Sequence, residues 1–126
     1  MIIGVGLDLV ELERIKQSLE RFGDRFTDKI LTDLEKQTMP ENENNRIAFV
    51  ASRFAAKEAG VKALGTGFSQ GVGFKDVEVI TPDTRKPEIV LHNRALEISR
   101  DLGATKVFVS LSHERSVAGA VVILES

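Results

Sequence analysis

Arg46 to Gly67, RIAFVASRFAAKEAGVKALGTG, decides the fold. Ile47, Val50, Ala51, Phe54 and Val61 recur at helical spacing, and Gly65 stands where a C-cap glycine belongs. The spacing predicts one long helix from about Arg46 to Leu64 that ends in the glycine-rich stretch GTGFSQGVG. Gly60 is an irregularity inside it, costing about 1 kcal/mol relative to alanine unless close packing needs it. Projection at about 100° per residue puts Ile47, Val50, Phe54, Glu58 and Val61 in one band, so a carboxylate sits in the apolar stripe. Burying an unpaired carboxylate is costly enough that it protonates, finds a cation or ligates a metal. Two explanations of Glu58 therefore stand at this point. It pairs with Lys62 four residues on, or it holds a metal ion.

Upstream, Ile2 to Leu9 is β-branched and apolar at alternate positions, which predicts a buried first strand with Gly4, Gly6 and Asp8 on one face. Leu12, Ile15, Leu19 and Phe22 then form the apolar band of a helix from Glu11. A second helix, Asp28 to Lys36, is expected behind Thr27 as N-cap. Pro40 and ENENN make a polar loop. Downstream, Lys75 to Thr81 and Glu88 to His92 read as strands around the turn PDTRKP, Asn93 to Leu102 as a short helix, and Thr105 to Ser112 and Val117 to Leu124 as two more strands around HERS. Short turns imply antiparallel pairing, because a parallel crossover needs about a dozen residues or more. The expected class is α+β, an antiparallel sheet packed with a long central helix.

The 126 residues fit a single domain, since half that length would struggle to bury a core. With 42% hydrophobic and 29% charged residues the chain can fill a core and keep a solvated surface, so disorder is not expected. The absence of cysteine excludes disulfides, thiolate metal sites and thiol nucleophiles. A net charge of −2 argues against general nucleic-acid binding, which needs a basic surface. No apolar run approaches the roughly 20 residues that span a bilayer, and MIIGVGLDL lacks the basic flank of a signal peptide. A cytoplasmic protein without membrane or nucleic-acid contact is expected.

Asp8 bears on the choice left open at Glu58. Glycines beside it let the long helix approach, so two carboxylates could converge, and oxygen ligation by one or two carboxylates suits magnesium. The competing role for Asp8 is N-cap of the helix that follows. Past Lys62 the backbone of GTG can come close to an anion, and with Lys57, Glu58 and Lys62 this suggests a diphosphate neutralised by ammonium, metal and backbone N–H.

Four segments in order, GVGLDLVELER (Gly4 to Arg14), RFAAKEAGVKALGTG (Arg53 to Gly67), KPEIVLH (Lys86 to His92) and VSLSHERSVAGAVV (Val109 to Val122), resemble the bacterial holo-acyl-carrier-protein synthases, a family of 4′-phosphopantetheinyl transferases. The resemblance spans essentially the whole chain, residues 1–126. It implies the 4′-phosphopantetheinyl transferase fold, with Mg²⁺ held by Asp8 and Glu58 and phosphate charge met by Lys62. Coenzyme A would be bound by Arg53, Lys62, Gly65, Thr66, Gly67, Lys86, Pro87, Ser112 and His113. Arg85 stands where the family's turn before Lys86 and Pro87 has glycine. The implied reaction is attack by a serine of apo acyl carrier protein on the pantetheine-side phosphorus, giving the holo carrier of fatty-acid biosynthesis and adenosine 3′,5′-bisphosphate. Glu58 or a metal-bound water is the implied base. A homotrimer with active sites between subunits is implied as well.

Arg14, Arg21 and, if the first helix continues past Gly23, Arg25 project within one narrow band, a basic strip on an acidic protein that suits an acidic carrier helix. Glu11, Glu13 and Glu20 lie close enough to make it an ordinary solvated face instead. Two other functions use the same residues: a metal-dependent diphosphate hydrolase with water as nucleophile, and a non-catalytic coenzyme A-binding module.

Overall fold

The computed structural model describes residues 1–82 and 86–126, so Arg85 lies outside the described residues. The chain order is β1 (Ile2–Glu11), α1 (Leu12–Phe22), α2 (Asp24–Ile30), α3 (Asp33–Gln37), α4 (Glu43–Leu64), a short 3₁₀ turn (Phe74–Asp76), β2 (Val77–Ile80), β3 (Glu88–Leu91), α5 (Asn93–Asp101), β4 (Lys106–His113) and β5 (Val117–Glu125). Antiparallel pairing makes two sheets, β1-β5-β4 and β2-β3. The α+β class and the antiparallel strands are as the sequence predicts.

α4 is the centre of the molecule. Asn42 caps its N-terminus by accepting the Asn45 N–H at 3.1 Å, and Gly65 ends it in the left-handed region at φ +80°. From Val50 to Leu64 it is buried on nearly every side, not along one stripe, because β1 and β5 cover one flank and β2 another. Small residues make this possible. A Cβ at Gly6 would overlap the carbonyl oxygen of Ala59, and one at Gly4 that of Ala63, so the two glycines let β1 lie directly on the helix. A Cβ at Gly60 would come within 3.0 Å of Val77 Cγ1, which is the close packing that accounts for a glycine there.

Three expectations are corrected. β1 is not buried on both faces: Gly6 and Val10 meet the core, but Val5, Leu7 and Leu9 are exposed. It also runs on through Glu11, so Asp8 is a strand residue and not the N-cap of α1. The helix expected over Asp28 to Lys36 is two helices, because Leu31 is extended (φ −102°, ψ 140°) and Thr32 opens α3 in a capping box with Glu35. Thr27 lies inside α2, its hydroxyl donating to the Asp24 carbonyl at 3.1 Å.

Candidate active site

The β1–α4 contact builds the site. Side chains alternate along β1, so Asp8 shares the helix-facing side with Gly4, Gly6 and Val10, and the glycine-mediated approach brings α4 over it. Asp8 and Glu58 feel one another's charge across this contact. Burial pushes the Glu58 carboxyl above its ordinary range, the charge of Asp8 pushes it further, and Lys62 and Arg14 partly offset both. The ion pair considered from spacing, Glu58 with Lys62, is not the one formed. Lys62 Nζ crosses to β1 and donates to Asp8 Oδ1 and to the Leu7 carbonyl, both at 3.0 Å.

Asp8, Glu58, Lys62 and Arg14 thus form one electrostatic cluster, in which the charges of Lys62 and Arg14 only partly relieve Glu58. That suits a hard divalent cation held by two carboxylates with its remaining positions filled by water and substrate oxygens. The described residues hold no group of three or more His, Cys, Asp or Glu side chains that could cage a metal on their own.

Other candidates stand differently. The N–H groups of Gly65, Thr66 and Gly67 are not free for an anion: Gly65 donates to the Lys62 carbonyl at 3.0 Å, and Thr66 and Gly67 donate to that of Val61 at 3.1 and 3.2 Å. They finish the helix, as C-terminal carbonyls require. What this turn offers is open space, since a Cβ at Gly65 or Gly67 would meet nothing. Lys57 is corrected too. It is fully buried against Glu35, away from any phosphate. Arg53 stacks over Phe49, 3.9 Å to the ring centroid, and donates to Ser52 Oγ and Thr81 Oγ1, while its Nε is buried with no hydrogen-bond partner among the described residues.

Lys86 and Pro87 line a cleft of ≈ 580 Å³ with Ile89 of β3 and Val107, Phe108 and Ser110 of β4. Ser112 and His113 are exposed at the end of β4. Register places Ser112 in a row with Gly119 and Leu9, on the sheet face opposite Asp8. Within one chain, therefore, Ser112 does not face Glu58.

Gly23 ends α1, so Arg25 stands on α2 and not on the first helix as expected; Arg14 lies over the Phe54 ring at 5.7 Å, whereas Arg21 and Arg25 lie over Phe22 at 5.2 and 5.9 Å. Phe22 is 43% exposed and is not part of the core band that spacing assigns it to. With Ser18, Arg25, Phe26 and Lys29 it lines a shallow cavity of ≈ 330 Å³, a basic and aromatic surface that periodicity missed. The signal available was Arg21 before Phe22 and Arg25 three residues after it.

The chain belongs to the 4′-phosphopantetheinyl transferase superfamily, which it matches over residues 4–121. Within that superfamily it is 53% identical to the holo-[acyl-carrier-protein] synthase of Desulfovibrio desulfuricans, covering 100% of this chain and 99% of the relative. The fold is that of the crystal structure of the Neisseria meningitidis holo-[acyl-carrier-protein] synthase, with a TM-score of 0.89, 35% identity and 100% coverage of both chains. It is also similar to the holo-(acyl-carrier-protein) synthase of Bacillus anthracis in complex with CoA (3′,5′-ADP), with a TM-score of 0.82, 38% identity and coverage of 100% and 98%.

Proposed function

We infer that this chain transfers the 4′-phosphopantetheine group of coenzyme A to a serine of apo acyl carrier protein, releasing adenosine 3′,5′-bisphosphate and supplying the holo carrier of fatty-acid biosynthesis. The observation that carries this is the electrostatic coupling of Asp8 and Glu58 across the β1–α4 contact, in a chain related over its full length to holo-[acyl-carrier-protein] synthases. Residues 1–126 act as one phosphopantetheinyl transferase domain.

Asp8 and Glu58 hold Mg²⁺, which when bound neutralises diphosphate oxygens and the charge that develops on them. Lys62, half-exposed and anchored on Asp8, is placed to turn its ammonium to the same phosphates. Glu58 or a metal-bound water would accept the serine proton. Arg53, and Lys86 with Pro87 in their cleft, take the nucleotide part of coenzyme A. Gly65, Thr66 and Gly67 give it room without donating to it.

The active unit is a homotrimer. The open face of the β1-β5-β4 sheet carries Val5, Leu7, Leu9 and Phe108 exposed, in rows with Ile123, Val121 and Gly119 of β5, more apolar surface than an isolated chain usually presents. Covering it with a second copy also brings Ser112 and His113 toward a neighbour's site. Light scattering is expected to give the mass of three chains, and Leu7→Glu, which puts a charge in that face, to give single chains with activity lost.

With purified protein, coenzyme A and Mg²⁺, intact-mass measurement of an apo carrier is expected to show one added 4′-phosphopantetheine. An unmodified carrier sinks the proposal, and bisphosphate released without carrier marks a hydrolase. Arg21→Glu, on the same strip but outside the Glu58 cluster, is expected to raise the KM for the carrier about tenfold while that for coenzyme A stays within about twofold, because rim charges steer and orient partners. No helix among the described residues is long and apolar enough to cross a membrane, and we place the reaction in the cytoplasm.

A further inference from the structure

Lys57 and Glu35 take no part in the chemistry above, yet both side chains are fully withdrawn from solvent. All the donors of the ammonium are used: Nζ donates to Glu35 Oε1 at 2.9 Å, to the Val77 carbonyl at 2.6 Å and to the Phe74 carbonyl at 3.1 Å. An apolar side chain would fill the same space without the desolvation cost, so the charge is better explained by the geometry it imposes. Those two carbonyls mark where the glycine-rich stretch after α4 rejoins the body of the protein.

The Phe74 ring carries that anchor outward. It stacks on Phe68, in the middle of the stretch, with centroids 4.0 Å apart, and on Phe54 of α4 at 5.7 Å. The far end of the stretch is tied beside it, because the Asp76 carboxylate accepts from Gly73 N at 2.9 Å and from Asn93 Nδ2 at 3.1 Å. Glu58 is the next residue on the helix, turned about 100° away, so one turn of α4 sets the carboxylate on one side and the loop on the other.

We propose that Lys57 is a positioning residue for the coenzyme A site: through Phe74 it holds Phe68, and with it the loop from Gly65 to Gly73, against α4. This rests on the reading that Gly65, Thr66 and Gly67 border coenzyme A. Lys57 itself touches no reacting atom. Holding a site to within a fraction of an ångström needs such a support beneath it.

Two variants of the full chain test this. Lys57→Met removes the anchor, and Phe74→Leu keeps the ion pair and both carbonyl bonds but removes the stack, so it reports even where Lys57→Met does not fold. Hydrogen exchange is followed at the amides of Gly67, Val72 and Gly73, which are bonded within or at the edges of the loop, against amides of α4 and β5. Loop amides are expected to exchange about tenfold faster in Phe74→Leu while α4 and β5 stay protected. The KM for coenzyme A is expected to rise about tenfold with kcat within about twofold. Unchanged loop exchange in folded Phe74→Leu overturns the positioning role, whatever the loop binds, and so does a uniform rise over all elements. Faster loop exchange with an unchanged KM overturns the placement of coenzyme A beside the loop and leaves the anchoring by Lys57 standing.

Discussion

Glu58→Gln is expected to lower kcat for carrier modification about a thousandfold, because it removes a ligand of the metal that would neutralise the diphosphate along with a proton acceptor. Calorimetric titration with Mg²⁺ in the presence of coenzyme A is expected to lose its binding signal. The fold is expected to survive, and the sign of the stability change follows from the raised pKa. A carboxyl whose folded pKa lies above its unfolded one contributes stability that is fully present below the unfolded value and lost as pH rises through the folded value. At neutral pH the ionised Glu58 is therefore a liability in the metal-free protein, and the neutral amide removes it. Metal-free Glu58→Gln should melt at or above the temperature of the parent at pH 7, with the difference fading toward about pH 4, where glutamate is largely protonated in either state. A variant that unfolds while metal affinity is unchanged would instead make Glu58 a structural residue.

Glu35→Ala is expected to cost about 3–5 kcal/mol, because it leaves the Lys57 ammonium buried without its counter-charge. Glu35 does more than balance that charge. Its carboxylate also accepts the Thr32 N–H and the Val79 N–H, both at 2.8 Å, so truncation strands donors on α3 and β2 together with the lysine. Burial already pushes the Lys57 pKa down, and the charge of Glu35 is the largest force opposing it. Urea unfolding is the measurement, with the midpoint falling at constant slope. Against a total of about 5–15 kcal/mol for a typical domain, this loss would leave the variant marginal. Asp28→Asn serves as the control. It breaks the Lys36 pair at 2.6 Å, but on the exposed surface, and the midpoint should barely move.

The sequence by itself determined the α+β class, the end of α4 from its periodicity and C-cap glycine though not its start, which is Glu43 within the run read as a polar loop, and the singling out of Glu58 as a carboxylate where apolar residues belong. It also placed Asp8 on the glycine-bearing side of β1, since alternation along a strand is strict. These are local properties: 3.6 residues per helical turn and two per strand repeat can be read without knowing what lies across. Tertiary structure alone decided the partners. Lys62 pairs with Asp8 and not with Glu58, because β1 lies on α4 where Gly4 and Gly6 allow it. Lys57, adjacent to Glu58 in sequence, turns inward to Glu35, twenty-two positions away, and leaves the site. The Gly65, Thr66 and Gly67 amides close the helix that precedes them, so the turn offers space where donors were expected. Val5, Leu7 and Leu9 are exposed in one chain, although their alternation reads as core. Periodicity states which residues share a face, but only the packing of one element on another decides whether that face meets the core, a charge or a second chain.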